Sequence, residues 1–327
     1  MPNILKKLNS FTAMRVKYGS YAVIASGSTS TSTGVAGYFG GGYDGAGNVS
    51  GIDKITFPAD TKTTLSATLT TARNSMGSMA NSAVAGYFGG GQDSGALSGI
   101  DKITFPADTK TTLSATLTTA RWNLSGMANS AVAGYFSGGE YSGGFISGID
   151  KITFPADTKT TLGTGLPSLR RLTSSMSDNG VAGYVGGGYD TGYISAIIKV
   201  AFPSDTVSTS SATLLAPNAY FSAMANSGVA GYFNGGSAAF NTDRIDKIAF
   251  PADTRTTLSA VLTTVRLQTA AMANSGVAGY VGGGTGSSGD LSGIDKITFP
   301  ADTKTTLSAT LTTVNQTLRA MADSGTL

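Results

Sequence analysis

One stretch of about 48 residues occurs six times along this chain, and its regular spacing restricts the folds that the sequence can adopt. The clearest copy covers residues 79–121. The glycine before the repeated tyrosine falls at Gly37, Gly86, Gly134, Gly183, Gly231 and Gly279. Successive copies therefore lie 49, 48, 49, 48 and 48 residues apart. A fixed period in this range indicates a solenoid, a propeller or an array of small units.

Each copy has the pattern of four short strands. In the first copy, residues 35–39 are apolar on both faces, and residues 52–57 form a second candidate strand. Residues 58–61, Pro-Ala-Asp-Thr, predict a turn in which proline presets φ and the aspartate caps its own backbone. Residues 65–69 alternate leucine or alanine with serine or threonine, which predicts a half-exposed outer strand. The fourth strand, the innermost, begins the next copy.

Four strands in about 48 residues fit a propeller blade. The absence of a helical period excludes the helical solenoids, and β-helices usually have shorter repeats. Six glycine-rich strands are matched by six innermost strands, which begin near Met79, Met127, Met176, Met224, Met272 and Met321. Residues 321–325 have no following strand of their own, so we expect them to pair with residues 35–39 and leave no open sheet edge. The sequence therefore predicts an all-β fold, a closed six-bladed β-propeller at residues 35–327.

The residue pattern of the copies resembles two known kinds of repeat. Gly41 and Gly42, then Phe57, Leu65 and Arg73, resemble the kelch repeat of β-propellers, although leucine stands where kelch repeats usually have tryptophan. The phrases Gly-Tyr-Phe-Gly-Gly-Gly and Ile-Asp-Lys-Ile-Thr-Phe-Pro-Ala-Asp-Thr are similar to repeats of bacteriophage tail or fibre proteins, cyanophages in particular. The first resemblance implies a kelch-like propeller, and the second implies a virion structural protein.

Composition argues against several function classes. Charged residues make up 13% of the chain and the net charge is only +3, which gives no basis for nucleic-acid binding. There is no cysteine and no histidine, and Glu140 is the only glutamate, so little acid–base or metal-binding chemistry is available. The glycine-rich loop at residues 40–45 lacks the helix that a phosphate site needs, so we assign its glycines to backbone packing. We expect no enzyme activity, no cofactor, no metal and no membrane insertion.

Residues 1–34 do not match the repeat. A short helix is predicted at residues 3–18, a β-rich run at residues 21–24, and a serine- and threonine-rich linker at residues 26–33. No apolar core follows Lys6 and Lys7, so a signal peptide is not expected. We interpret this region as an attachment segment that docks on other proteins of an assembly.

Polar residues recur at two positions of the repeat. Adjacent aspartate and lysine, as at Asp53 and Lys54, point to opposite faces of a strand, so we expect exposed contacts between neighbouring blades, worth about 0.2–1 kcal/mol each. The second position, at the crossover between blades, holds Arg73, Arg121, Arg170, Asn218, Arg266 and Asn315. We expect these arginines to satisfy loop carbonyls. The alternative is a polar ring that contacts a sugar or a carboxylate.

The loops after the glycine-rich strands differ between copies, and so do the crossovers, whereas the remaining turns are nearly identical. In a four-stranded meander both variable sets emerge at the same end. Their aromatic and acidic residues are Tyr43, Asp44, Trp122, Glu140, Tyr141, Tyr189, Asp190 and Tyr193. Because rigid scaffolds commonly carry binding residues on loops, this pattern favours a recognition surface over unconstrained loop drift.

These observations favour a non-enzymatic phage structural or adhesion protein located in the virion and present in several copies. Its partners would be other tail proteins, through residues 1–34, and a host glycan or protein, through the variable loops. The alternative is a carbohydrate- or protein-binding propeller of a bacterium, at the cell surface or outside the cell. A glycan-cleaving enzyme is a third class that the fold permits.

Overall fold

A computed structural model describes residues 36–238 and 240–323, and within them the chain forms strands and turns without a helix. By its contacts the chain separates into Met1–Thr33 and Gly34–Leu327, and the blades belong to the second unit. The helix, strand and linker predicted for residues 1–34 lie outside the described residues. The same holds for residues 324 and 325 of the predicted closing strand.

The fold consists of six four-stranded antiparallel sheets, arranged as the blades of a propeller, and two short hairpins. The blade 3 hairpin pairs Glu140–Tyr141 with Gly144–Phe145, and the blade 6 hairpin pairs Thr285–Gly286 with Gly289–Asp290. The innermost strands of blades 1 to 6 are Arg319–Ala322, Gly77–Asn81, Ser125–Asn129, Ser174–Asp178, Ser222–Asn226 and Ala270–Asn274. The second strands are Ala36–Gly40, Ala85–Gly89, Ala133–Ser137, Ala182–Gly186, Ala230–Asn234 and Ala278–Gly282. The third strands are Ile52–Thr56, Ile100–Thr104, Ile149–Thr153, Ala196–Ala201, Ile245–Ala249 and Gly293–Thr298. The outer strands are Thr61–Thr64, Thr109–Thr112, Thr158–Thr161, Thr206–Thr213, Thr254–Thr257 and Thr303–Thr310.

Blade 1 closes the ring with strands from both ends of the repeat region. Arg319–Ala322 pairs antiparallel with Ala36–Gly40, with Met321 opposite Tyr38. The innermost strands contact one another in blade order, and the strand of blade 6 contacts that of blade 1. The predicted closed six-bladed propeller is therefore confirmed, with the closing strand beginning two residues earlier than expected.

The glycine of each second strand is explained by a methionine of the preceding blade. A methyl group added at Gly231 would overlap the Sδ and Cε atoms of Met176, and the other five copies repeat this relationship. Met176 has no exposed surface. Because the side chain of one blade occupies the space above the glycine of the next, the blades pack closely around the axis.

A second interlock joins the blades farther from the axis. The hydroxyl of Tyr38 donates to Oδ1 of Asp108 at 2.8 Å, and Lys54 Nζ lies 2.7 Å from the other oxygen of the same carboxylate. The ring of Tyr38 stacks on Phe105, with 5.0 Å between ring centroids. All six blades have this arrangement, and each aspartate is the one in the Pro-Ala-Asp-Thr turn, which reads Pro-Ser-Asp-Thr at Asp205. The prediction that this aspartate caps its own backbone was wrong, because its carboxylate binds the neighbouring blade instead.

The outer strand also differs from the prediction. In blade 1 it covers Thr61–Thr64, and residues 65–69 continue irregularly. Leu65 N donates to Ile52 O, and the next such bond joins Leu69 N to Ser50 O. Between these two bonds the outer segment advances four residues while the segment of the third strand advances only two. Two extra residues interrupt the ladder there and place Leu69 in the core with only 3% of its surface exposed.

Candidate recognition site

The two variable sets of loops meet at one end of the ring, as predicted. In each blade a residue of the loop after the second strand forms a bridge with a residue of the crossover. Trp122 N donates to Glu140 O at 3.0 Å, and Glu140 N donates back to Trp122 O at 2.9 Å. We call this the variable end. The opposite end, the turn end, exposes a valine in five blades, namely Val84, Val132, Val181, Val229 and Val277.

The crossover arginines and asparagines are buried rather than presented to a ligand, with only 2–7% of their surface exposed. Arg73 donates to the carbonyls of Gly99 and Phe88, which confirms the predicted role. Asparagine reaches a carbonyl as well: Asn218 Nδ2 donates to Gly235 O and Asn315 Nδ2 to Gly41 O, both at 2.8 Å. This position therefore holds the loops in place.

The aspartates of the third strands are also buried, which corrects the expectation of exposed ion pairs. Asp101 lies 2.9 Å from Nη2 of Arg73 and accepts hydrogen bonds from Thr70 and Thr112. Burial raises the pKa of Asp101, but these hydrogen bonds and the Arg73 charge outweigh it and hold the pKa below its usual value. The contact does join neighbouring blades, as predicted.

The variable end carries one dense group of charged and aromatic side chains, on blades 3 and 4. We call Glu140, Phe145, Arg171, Tyr189 and Tyr193 the Arg171 cluster. Nη1 of Arg171 lies 2.6 Å from Oε2 of Glu140, and the other carboxylate oxygen accepts a 2.6 Å hydrogen bond from Asn123 Nδ2. The carboxylate and the guanidinium are thus both fixed in position.

Aromatic rings surround this ion pair. The guanidinium of Arg171 lies 4.8 Å from the ring centroid of Phe145 and 5.4 Å from that of Tyr189. Tyr189 also contacts Tyr193 edge to face at 5.5 Å. Tyr193, and Tyr141 on the blade 3 hairpin, each expose 39% of their surface. Rigid aromatic faces beside fixed polar groups can bind the apolar face of a sugar or an aromatic side chain of a protein.

The structure brings together only some of the predicted site residues. Glu140, Tyr189 and Tyr193 belong to the Arg171 cluster, and Trp122 is half-buried beside it through its backbone bridge to Glu140. Tyr43 lies on blade 1, three blades away around the ring.

Two predicted acidic residues are used inside their own loops. Asp44 accepts hydrogen bonds from the backbone of Ala46 and Gly47. Asp190 accepts hydrogen bonds from the backbone of Thr191 and Gly192. Both carboxylates therefore shape the loops rather than project from them as free ligands.

Arg171 and Phe145 were not among the site residues predicted from the sequence. Arg171 follows Arg170 directly and is the only charged residue at its repeat position, where the other copies have Asn74, Trp122, Ala219, Leu267 and Gln316. That departure from the repeat was a usable signal. Phe145 could not be recognised because the loops that carry it share no common length or sequence.

A ring of backbone hydrogen bonds surrounds the axis at the variable end. Its members all have positive φ although none is glycine: Ser75, Asn123, Leu172, Tyr220, Gln268 and Thr317. Each described bond joins one blade to the next, as from Asn123 N to Ser75 O at 2.8 Å. We call this the mouth ring. Such conformations are rare for bulky side chains, and here bonds to neighbouring blades hold them, with no bond described between Leu172 and Tyr220.

The Arg171 cluster extends to this ring through Tyr220. Burial raises the pKa of Tyr220, while the positive charge of Arg171 opposes the shift. The variable end therefore combines an off-axis aromatic surface with a constricted axial mouth.

Comparison with protein-family models and with curated proteins returns no match to this chain. Within residues 36–238 and 240–323, no three acidic side chains gather closely enough to hold a metal ion. None of the described segments is a helix capable of crossing a membrane.

Proposed function

We propose that this protein is a non-enzymatic recognition protein, of the tail-fibre or receptor-binding type, that binds a surface glycan or protein through the variable end of blades 3 and 4. The observation that carries the proposal is the Arg171 cluster. Its ion pair and its aromatic rings are held rigidly by the crossover and by the blade 3 hairpin, while Tyr141 and Tyr193 remain exposed. Preorganised aromatic anchors of this kind lose little conformational freedom on binding.

The arrangement of Glu140 supports a binding role rather than catalysis. Both carboxylate oxygens already accept short hydrogen bonds, from Asn123 and Arg171. A general acid or base needs an oxygen free to reach the proton that it transfers. A glycan-release assay tests this part of the proposal, and release of free sugar would contradict it.

The assignment to a kelch-like virion protein rests on the residue pattern of the repeats. In this proposal residues 1–34 attach the propeller to the particle, and several copies per particle convert weak contacts into avidity. Mass spectrometry of purified virions tests the location. A variant lacking residues 1–34 should fold yet fail to join the particle, and normal incorporation would contradict the attachment role. A bacterial surface protein with the same binding end is the alternative.

Binding is tested with Tyr141→Ala, Tyr193→Ala and Arg171→Ala, on a glycan array and on host cells. Truncation of an aromatic or arginine anchor typically costs at least ~2 kcal/mol, which corresponds to roughly thirtyfold weaker binding. Val181→Ala is the matched control, since Val181 is 45% exposed on blade 4 but lies at the turn end. Weaker binding by the control and unchanged binding by the cluster variants would place the site at the wrong end.

A further inference from the structure

The axial channel carries one charged residue that the recognition site does not use. Arg319 begins the innermost strand of blade 1, where the other five innermost strands have Gly77, Ser125, Ser174, Ser222 and Ala270. At this position, Ser125, Ser174, Ser222, Ala270 and Arg319 line a common cavity between the innermost strands. Arg319 lines both cavities of the channel, one of about 30 Å³ between the innermost strands and one of about 20 Å³ beneath the mouth ring.

Arg319 has no acidic partner among the described residues. Its Nε donates to Met76 O at 2.5 Å and its Nη1 to Leu318 O at 3.1 Å, so both bonds go to neutral carbonyls. Nη2 has no hydrogen-bond partner in the described part of the chain. By contrast, Arg73, Arg121 and Arg266 each lie within 2.7–3.2 Å of an aspartate.

Hydroxyl groups surround the same cavity. Ser222 Oγ and Thr269 Oγ1 lie 2.9 Å apart, and Ser125 Oγ and Thr173 Oγ1 lie 3.0 Å apart. Ser125 Oγ also lies 3.1 Å from Ser137 Oγ. In the Ser222–Thr269 pair one hydroxyl donates to the other, which leaves the second hydrogen available to a further acceptor. The channel therefore offers a positive charge and neutral donors, but no carboxylate among the residues that line it.

We infer that Arg319 and these hydroxyls form a binding site for a single small monovalent anion of chloride size. Arg319 is half-buried in the channel lining, and an anion would supply the charge partner that its guanidinium lacks among the described residues. The water-accessible space of about 30 Å³ suits an anion of a single atom. The site is separate from the Arg171 cluster and does not depend on the proposed function.

The test compares thermal unfolding of the full chain in sodium chloride and in sodium gluconate at equal ionic strength, because gluconate is too large for the cavity. We expect a higher Tm in chloride, which increases with the logarithm of the chloride concentration. In Arg319→Ser the two salts should give the same Tm. Serine already occupies this position in three blades, so the variant should fold. Arg255→Ser removes a half-buried arginine of the blade 5 outer strand instead, and it should respond to chloride like the unaltered protein.

Broadening of the ³⁵Cl NMR line reports binding directly. The unaltered protein and Arg255→Ser should broaden the line, and Arg319→Ser should not. Equal Tm values of the unaltered protein in the two salts, or a chloride response retained by Arg319→Ser, would overturn the inference. If Arg319→Ser does not fold, bromide-soaked crystals of the unaltered protein decide: an anomalous peak beside the Arg319 guanidinium supports the site, and its absence refutes it.

Discussion

The hydroxyl of Tyr280 donates to Oδ1 of Asp60 at 2.7 Å, joining blade 6 to blade 1 across 220 positions of the sequence. Lys296 Nζ lies 2.6 Å from the other oxygen of Asp60, and Phe57 stacks on the ring of Tyr280 at 4.7 Å. The same contacts join Tyr184 of blade 4 to Asp253 of blade 5. The interface between blades 6 and 1, which closes the ring, therefore has the same contacts as the interface between blades 4 and 5.

We accordingly expect Tyr280→Phe and Tyr184→Phe to destabilise the propeller equally, by about 1–2 kcal/mol for one lost hydrogen bond to a carboxylate. Urea denaturation measures both changes. In a closed ring every interface supports the whole, so the unfolding slope should stay unchanged in both variants. A biphasic transition for Tyr280→Phe alone would show that the closing interface is weaker than the others.

The closing strand itself should be indispensable. Deletion of residues 319–327 removes the innermost strand of blade 1 and exposes the edge of Ala36–Gly40, so we expect association into larger species. Light scattering after size-exclusion chromatography measures this. Deletion of residues 324–327 is the control, since it leaves every described strand intact. A soluble monomer of the longer deletion would contradict the proposed role of closure.

Gly231→Ala should destabilise the core by about 1–3 kcal/mol, because the added methyl group overlaps the buried Met176 side chain. Gly95→Ala is the matched control: nothing lies within 4 Å of its added Cβ, so we expect a change within about 0.5 kcal/mol. Combining Gly231→Ala with Met176→Ala should cost less than the sum of the two single changes. Simple additivity in denaturant melts would show that the two residues are not coupled.

At the crossover position, Arg266→Ala should cost about 3–5 kcal/mol, because it leaves Asp295 buried without its 2.7 Å partner. Arg266→Asn should be milder by about 1 kcal/mol, since asparagine at Asn218 and Asn315 donates to the carbonyl equivalent to Gly283 O. Adding Asp295→Asn to Arg266→Ala should recover part of the loss by removing the unpaired charge. Equal stability of the alanine and asparagine variants would contradict the carbonyl contact.

Asp323 should make stability depend on pH in the opposite direction from most carboxylates. Burial raises the pKa of Asp323 to about 6, and its Oδ1 has no hydrogen-bond partner in the described part of the chain. Between pH ~4 and ~6 the folded state therefore keeps a proton on Asp323 that the unfolded state has lost. The contribution of Asp323 to stability falls as pH rises through that window and stays low above it.

Asp323→Asn should therefore stabilise the protein at neutral pH by up to about 3 kcal/mol and change little near pH 4. Four other blades already have asparagine here, at Asn81, Asn129, Asn226 and Asn274. Asp178→Asn is the control, because the Asp178 carboxylate accepts hydrogen bonds from Gly228 N and Ser227 Oγ. Melting temperatures across this pH range would contradict the assignment if Asp323→Asn matched the unaltered protein at every pH.

The period of the sequence determined much of this protein. Glycine, tyrosine, lysine and aspartate recur in every or nearly every copy because each blade presents the same surface to its neighbour, as in Gly231 against Met176 and Tyr38 against Asp108. A contact that recurs between equivalent blades needs its residues in every copy of the repeat. Blade number, strand count and closure could therefore be read without coordinates.

Only the tertiary structure decided where single departures from the repeat lie. Glu140 and Arg171 are 31 positions apart and meet because the blade 3 loop and the following crossover both lie at the variable end. The aspartate of the Pro-Ala-Asp-Thr turn could cap itself or bind a neighbouring blade, and in the closed ring it binds the tyrosine and lysine of the preceding blade. Arg319 appears in sequence as an ordinary substitution, and it becomes a lone charge only because ring closure places its strand on the axis. Residues that recur in every copy specify the contacts that all blades share. For a residue that occurs in one copy, the neighbours depend on which distant segments the closed ring brings together.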